Sequence, residues 1–243
     1  STLGEWQAAG VAFDKARTLD PENGIAWALH GEAIQHVGES GFNDLSKALE
    51  LAPRSDIVNG LMAVYYRRQQ KYDLAIKYLY SASESNPNEP TWQVEIGNTL
   101  ALQGQLSDAL IHFQVATLMD ASNPVPWRAL ASFCVSYNYL VDSVGVEAAR
   151  KALLLNPGSG SALDLMGSVY LVMGDLDSSE RFLLQAEQAL PGRAEILYHL
   201  GQLYLQKGDK ATAFTYLRRA AEATTDARIR EAANRLIQTN GGE

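Results

Sequence analysis

LYHLGQLYLQKGDKATAFTYLRRA, residues 197–220, holds two helical patterns with a break between them. Leu197, Leu200, Gly201 and Tyr204 recur at intervals of three and four, which puts them on one face of a first helix. Gly208 then interrupts the pattern, and Ala213 and Ala220 mark the inner face of a second helix. Sliding this stretch along the chain shows that it is one copy of many. The terminal alanine returns at Ala16, Ala48, Ala82, Ala116, Ala152, Ala186 and Ala220, at spacings of 32, 34, 34, 36, 34 and 34 residues. Pro21, Pro53, Pro87, Pro157 and Pro191 end the second helix, with Ala121 and Thr225 in the same place in two copies. The first helix carries a small residue at a fixed offset, at Gly31, Ala63, Gly97, Ala131, Gly167 and Gly201, and break glycines recur at Gly38, Gly104, Gly174 and Gly208.

A period of about 34 residues, two helices per unit and small residues at fixed places resembles the tetratricopeptide repeat. In residues 197–220, Leu197, Leu200, Gly201, Tyr204, Gly208, Ala213 and Ala220 stand in that family's signature places. Near-complete copies run through Tyr66, Tyr72, Ala75, Ala82 and Pro87, and through Met166, Gly167, Tyr170, Gly174, Ala186 and Pro191. The resemblance implies an all-α fold, a right-handed superhelical solenoid of antiparallel helix pairs forming a single domain over 1–243. Its parts are the second helix of a truncated repeat (1–21), six repeats (22–53, 54–87, 88–124, 125–157, 158–191 and 192–225) and a capping helix with tail (226–243). The physical need behind the small residues is close approach. A glycine or alanine on the first helix admits the second, and side chains such as Tyr66 or Tyr170 fill the space beside it.

Composition fits this reading. A repeat array has no single core, and each unit buries its apolar face against its neighbours, for which 47% hydrophobic content suffices. No stretch approaches the roughly 18 uncharged apolar residues that a membrane span needs, so no direct membrane insertion is expected. A net charge of −8, from 20 basic and 28 acidic side chains, argues against generic nucleic-acid binding and favours a soluble chain. Cys134 is the only cysteine, so no internal disulfide can form; it occupies the place of Tyr66, Tyr170 and Tyr204 and is expected as a buried thiol. The compartment is left open.

Three places depart from the period. HVGESGFNDLSKAL, residues 36–49, is two residues short, which predicts a tighter turn between its helices. SYNYLVDSVGVEAARKAL, residues 136–153, carries two extra residues and no clear glycine break, and MDASNPVPW, residues 119–127, predicts a lengthened connection. They read as drift in loops or, more sharply, as a local change of superhelical pitch. At the C-terminal end, Ile229, Ala233, Leu236 and Ile237 form one stripe, while Arg235 stands where Gly201 and Gly167 stand and forbids close packing, so this helix is expected to cap the array. At the other end, GEWQAAGVAFDKARTLDP (4–21) matches a second helix whose first helix is missing. Trp6 and its neighbours are therefore expected to expose an apolar face. That predicts a longer parent chain, or an end that packs on another molecule, self-association near Trp6 included.

A search for chemistry yields little. His30, His36, His112 and His199 stand in four separate places, and none has an acidic or histidine partner at i+3 or i+4 that would make a credible metal pair. PGSGS, residues 157–161, lacks the phosphate-loop spacing and follows a helix; no G-x-S-x-G elbow occurs. The sequence predicts no catalytic residue, no cofactor and no metal site, hence no enzyme.

What remains is surface. In tetratricopeptide arrays the face of the first helix beside the packing stripe lines a concave groove for partner peptides. Carried over position by position, that lining here includes Glu32, Arg67, Arg68, Glu95, Asn98, Arg128, Ser132, Asp164, Ser168, Glu195, Tyr198 and Gln202. Small side chains at Ala28, Gly60, Ser132 and Ser168 are expected to leave room for a ligand. The family's chaperone-binding carboxylate clamp is not matched, because Asn98 stands alone and Ala28, Gly60 and Val94 occupy the places where it wants lysine. The resemblance implies a scaffold that binds a partner peptide or helix of mixed charge with some apolar anchors. Two alternatives remain: the regulatory or substrate-docking region of a larger enzyme, and an assembly factor of a membrane-associated secretion or pilus-type machine.

Overall fold

The structure, a computed structural model, describes residues 3–242. They form fourteen α-helices and one π-helical turn, with no strand among the described residues, in two compact units that divide between Asp120 and Ala121. In the first unit, α1 (Leu3–Leu19) packs on α2 (Gly24–His36), which pairs with α3 (Phe42–Leu51). Then come α4 (Asp56–Arg68) with α5 (Tyr72–Ser85) and α6 (Pro90–Leu102) with α7 (Leu106–Met119). In the second unit, α8 (Pro124–Ser136) pairs with a π-helical turn (Val141–Gly145) that runs into α9 (Val146–Leu155). There follow α10 (Gly160–Met173) with α11 (Leu176–Ala189), α12 (Ala194–Gln206) with α13 (Lys210–Ala223), and α14 (Ala227–Thr239).

The helices start and stop where local chemistry allows. Asn23, Ser55, Glu89, Asn123 and Ser159 each accept a backbone N–H from the first turn of the helix they precede. Pro90 and Pro124 occupy the first helical turn, where a missing N–H costs nothing. The turn inside each pair needs one left-handed residue. Glycine supplies it at Gly38, Gly104, Gly174 and Gly208, while Gln70 (φ 58°) and Asn138 (φ 47°) hold the same place in the two pairs without a break glycine.

Two of the three irregular segments differ from the sequence expectation, and the third divides its surplus between loop and helix. The connection into α8 is four residues, the same as those into α2, α4, α6, α10 and α12, because Pro124 starts its helix instead of lengthening the loop. The short copy does not tighten its turn: residues 37–41 form the connection, and α3 loses its first turn, running ten residues where α5 runs fourteen. Of the two extra residues of the long copy, one lengthens the connection, 137–140 against 69–71 in the α4–α5 pair, and the other is absorbed in the π-helical turn at 141–145, entered through Leu140 in the left-handed region.

Packing between paired helices turns on one contact. A Cβ placed on Gly167 would lie 2.6 Å from Leu183 Cγ, on Gly201 2.5 Å from Leu217 Cγ, and on Gly97 3.0 Å from the Phe113 ring. These three knobs are fully buried, as are Leu45 and, within 2%, Leu79 at the same place in the other pairs. The small residue thus makes room for a large side chain of the second helix, three places before the repeating alanine. In the α2–α3 pair it admits backbone as well: a Cβ on Gly31 would lie 3.1 Å from Leu45 Cγ, and one on Gly41 would sit 2.1 Å from the Gly31 carbonyl oxygen. Beside this crossing, Tyr66 stacks on Tyr78, Tyr170 on Phe182 and Tyr204 on Tyr216, with centroids 5.5–5.6 Å apart and planes within 9°. Where Cys134 replaces the tyrosine, Ala148 replaces its partner, and both are buried. At the end of the second unit, α14 buries Ala233 and Ile237 in a cluster with Leu197, Leu217 and Ala220, and Arg235 is exposed.

Two glycines separate space from conformation. Gly104→Ala meets nothing within 4 Å and strains only its φ of +82°, so it should cost about 1–2 kcal/mol. Gly41→Ala adds a backbone clash to a similar φ and should cost about 3 kcal/mol or more, read from chemical denaturation of each variant. Burial pushes the Cys134 thiol up to about 11, so it should stay unmodified by a disulfide reagent at pH 8 until denaturant is added; rapid labelling of the folded protein would contradict its placement.

Candidate functional site

Each histidine has a polar partner, and for His30, His112 and His199 it lies well beyond i+4 in sequence. His30 Nδ1–H donates to Asp44 Oδ2 (2.6 Å), whose other oxygen accepts from Arg17 (2.8 Å), a buried network tying α1, α2 and α3. His112 lies between Gln93 and Tyr80, at 2.8 and 3.2 Å. His36 lies 3.1 Å from Glu32, four residues before it, and its ring stacks on Trp6 at 3.7 Å. Trp6 is therefore half-covered rather than bare; the exposed apolar side chains of α1 are Leu3, Val11 and Leu19. A cavity of about 340 Å³ lies between α1 and α2, lined in part by Trp6, Val11, Ala33 and Ile34. No group of three or more metal-ligating side chains occurs among the described residues, and none of their helices is long and apolar enough to cross a membrane.

On the first-helix face of the first unit the candidate residues neutralise one another. Arg68 forks onto Glu32 (2.6 and 2.7 Å) and reaches Gln35 (3.1 Å). Arg67 pairs with Glu95, which also accepts from Asn98 (3.4 Å). The room expected at Ala28 and Gly60 is taken. Ala28 is fully buried in a cluster with Leu45, Ala48, Val58 and Met62. Gly60 lies under the Trp92 ring, which a Cβ there would meet at 2.7 Å. Trp92 stands one place earlier relative to Gly97 than Trp27 does to Gly31 or Trp127 to Ala131, and that offset turns it onto the neighbouring helix. Trp27 and Trp127 donate their indole N–H to the carbonyls of Pro21 and Ala121; Trp92 Nε1 is buried without an acceptor. Around this ring, Ile57, Gly60, Val64 and the aliphatic stem of Arg67 line an almost wholly apolar slot of about 200 Å³.

The second unit gathers five candidates into one place. Arg128 and Ser132 of α8, Asp164 and Ser168 of α10 and Glu195 of α12 line a cavity of about 270 Å³, together with Ser136, Ser161, Arg193 and His199. His199 is the residue the sequence did not place. Its Nδ1–H donates to Asp164 Oδ1 (2.7 Å), and Ser168 Oγ lies 3.1 Å from the same nitrogen. Burial opposes the imidazolium, but the charge and hydrogen bond of Asp164 and the charge of Glu195 outweigh it, so its pKa is raised. Serine, histidine and carboxylate meet here without forming a nucleophile relay. Both partners share Nδ1, whereas such a relay needs them on opposite ring nitrogens. Glu195 also accepts from Arg193 (3.0 Å). Tyr198 and Gln202 lie outside this cavity: Gln202 donates to the Tyr198 hydroxyl (3.3 Å), which packs on the cluster under α14.

Paired helices that bury one face through small residues and leave the other lined by polar side chains define a helical-repeat scaffold for protein interaction. A family model described as tetratricopeptide repeat matches residues 61–125 and 165–228, more than half of the chain, and the chain belongs to the tetratricopeptide repeat family. It is 28% identical over 143 residues to the protein CTR9 homolog of Arabidopsis thaliana, covering 58% of this chain and 13% of that protein. The Cut9–Hcn1 hetero-tetramer of the APC/C contains a similar fold, with a TM-score of 0.71 at 16% identity over 97% of this chain and 46% of that one. A thermophilic tetratricopeptide repeat protein of Thermus thermophilus matches with a TM-score of 0.64 at 21% identity, over 76% of this chain and 100% of the other. The chain thus spans less than half the length of the Arabidopsis relative and of the hetero-tetramer chain.

The raised pKa of His199 sets a pH test. Its charged pairing with Asp164 stabilises the second unit fully below about pH 6.5 and is lost as pH rises through the raised value. The thermal midpoint of wild type should exceed that of His199→Gln most near about pH 5.5, with the gap shrinking towards about pH 9. A gap that stays constant with pH would show that the pair contributes nothing electrostatic.

Proposed function

We propose that this protein is a non-enzymatic scaffold that binds a partner peptide or helix along the first-helix faces, with the α8–α10–α12 cavity of the second unit as its central contact. The observation that carries the reading is the convergence there of five side chains selected by repeat position alone, Arg128, Ser132, Asp164, Ser168 and Glu195. An open cavity of about 270 Å³ with hydroxyl, cationic and anionic groups in its walls suits an extended segment, whose main chain needs donors and acceptors. The slot at Ile57, Gly60, Val64 and Trp92 offers an apolar anchor point of the kind such a segment uses. The similarity to a chain of the Cut9–Hcn1 hetero-tetramer supports a partner that is itself a protein.

Affinity capture with the intact chain, followed by mass spectrometry, would supply partners for measurement. Arg128→Ala combined with Asp164→Ala should weaken a captured partner about tenfold or more while far-ultraviolet circular dichroism stays unchanged. Unaltered affinity in the folded double variant would remove the cavity from the binding surface.

A further inference from the structure

On the two first-helix faces, charges meet partners with one exception. Glu32 meets Arg68, Glu95 meets Arg67, Asp164 meets His199 and Glu195 meets Arg193. Arg128 is exposed on the wall of the second unit's cavity and has no ion-pair or hydrogen-bond partner among the described residues. Four and eight residues on, Ser132 and Ser136 continue its stripe along α8, and Ser161 of α10 lines the same cavity. No hydrogen bond from any of these three hydroxyls to another side chain is present among the described residues.

We infer that this cavity selects a partner segment carrying an aspartate or glutamate side chain, bound by the Arg128 guanidinium with the Ser132, Ser136 and Ser161 hydroxyls beside it. The inference rests on the scaffold reading and names the chemistry of its ligand. A segment laid over the cavity removes water from Arg128. A neutral or basic segment would leave that cation without a counter-charge, whereas a carboxylate matches its planar fork with two hydrogen bonds. The acidic groups of the cavity do not offset this preference. Asp164 is paired with His199 and Glu195 with Arg193, so each carboxylate already faces a cation of the protein. With His199 protonated, the cavity carries Arg128, Arg193 and His199 against Asp164 and Glu195, a local cationic excess in a chain of net charge −8. The surplus sits on an arginine beside serines, without the lysines and asparagines of the family's clamp for chain-terminal carboxylates, so an internal acidic side chain is the ligand it fits.

A phage-displayed library of random peptides, selected on the intact chain, tests this. Selected sequences are remade with acetylated and amidated ends and measured by fluorescence anisotropy. Binding to wild type, Ser132→Trp and Arg128→Glu is compared at low and moderate salt; both positions are exposed, so the variants should fold, as thermal melting would verify. The expected result is peptides blocked by Ser132→Trp that share an acidic residue, bind Arg128→Glu about tenfold more weakly, and recover when that residue becomes lysine. Peptides blocked by Ser132→Trp but without a shared acidic residue, or indifferent to Arg128→Glu, would overturn the inference and leave the scaffold reading standing. Binders indifferent to Ser132→Trp, or a library that yields none, would overturn both.

Discussion

The crossing of two paired helices at a residue without a side chain, or nearly so, is the constraint on which the rest depends. At Gly167 and Gly201 the partner helix drives a leucine into the space a Cβ would occupy, leaving 2.5–2.6 Å for a group that needs more than 3 Å. Leu183 and Leu217 are thereby fully buried, each with about 2 kcal/mol of transfer free energy at stake. The geometry is repeated with different volumes: Phe113 against Gly97, Leu79 in the pair that carries Ala63, and Leu45 together with the Gly41 backbone against Gly31.

The same constraint decides which residues are left for binding. A first helix turns one stripe to its own partner and another to neighbouring pairs, so the remaining stripe is narrow. Side chains on it reach sideways to the next first helix, as Arg68 does to Glu32, Arg67 to Glu95 and His199 to Asp164. Each such pair joins two repeats as well as decorating a surface. At side-chain exposures of 13–37% these pairs lie between surface and buried cases, where ion pairs are worth little unless hydrogen bonds complete them.

The helix pairs, their number and their small residues were legible because a period of about 34 residues repeats the same packing problem. The turns were legible only where glycine marked them. Gln70 and Asn138 adopt the same left-handed conformation because the helices on either side over-determine it, and no residue type announces that. Irregular segments misled for a related reason. A surplus or deficit of residues can be taken up by a π-helical turn or by a lost helical turn, and spacing alone does not say which. The polar face was legible residue by residue but not as pairs. His199 bonds from α12 to Asp164 of α10, 35 positions away, and Trp92 covers Gly60 from the next repeat, the latter through an offset of one place along its helix.

The two units consequently present different chemistry from one repeat plan. In the first, Trp92 fills the gap over Gly60 and leaves an apolar slot, and the flanking charges, Arg67 and Glu95, cancel. In the second, no tryptophan covers the corresponding face of α8 and α10, whose residues at those places are Arg128 and Asp164, and serine hydroxyls stay open around them. An apolar slot gains affinity from any fitting side chain, whereas a cavity with an unpaired cation penalises every ligand that fails to match it. Apolar contact and charge matching are therefore offered by separate repeats, the first around Trp92 and the second around Arg128.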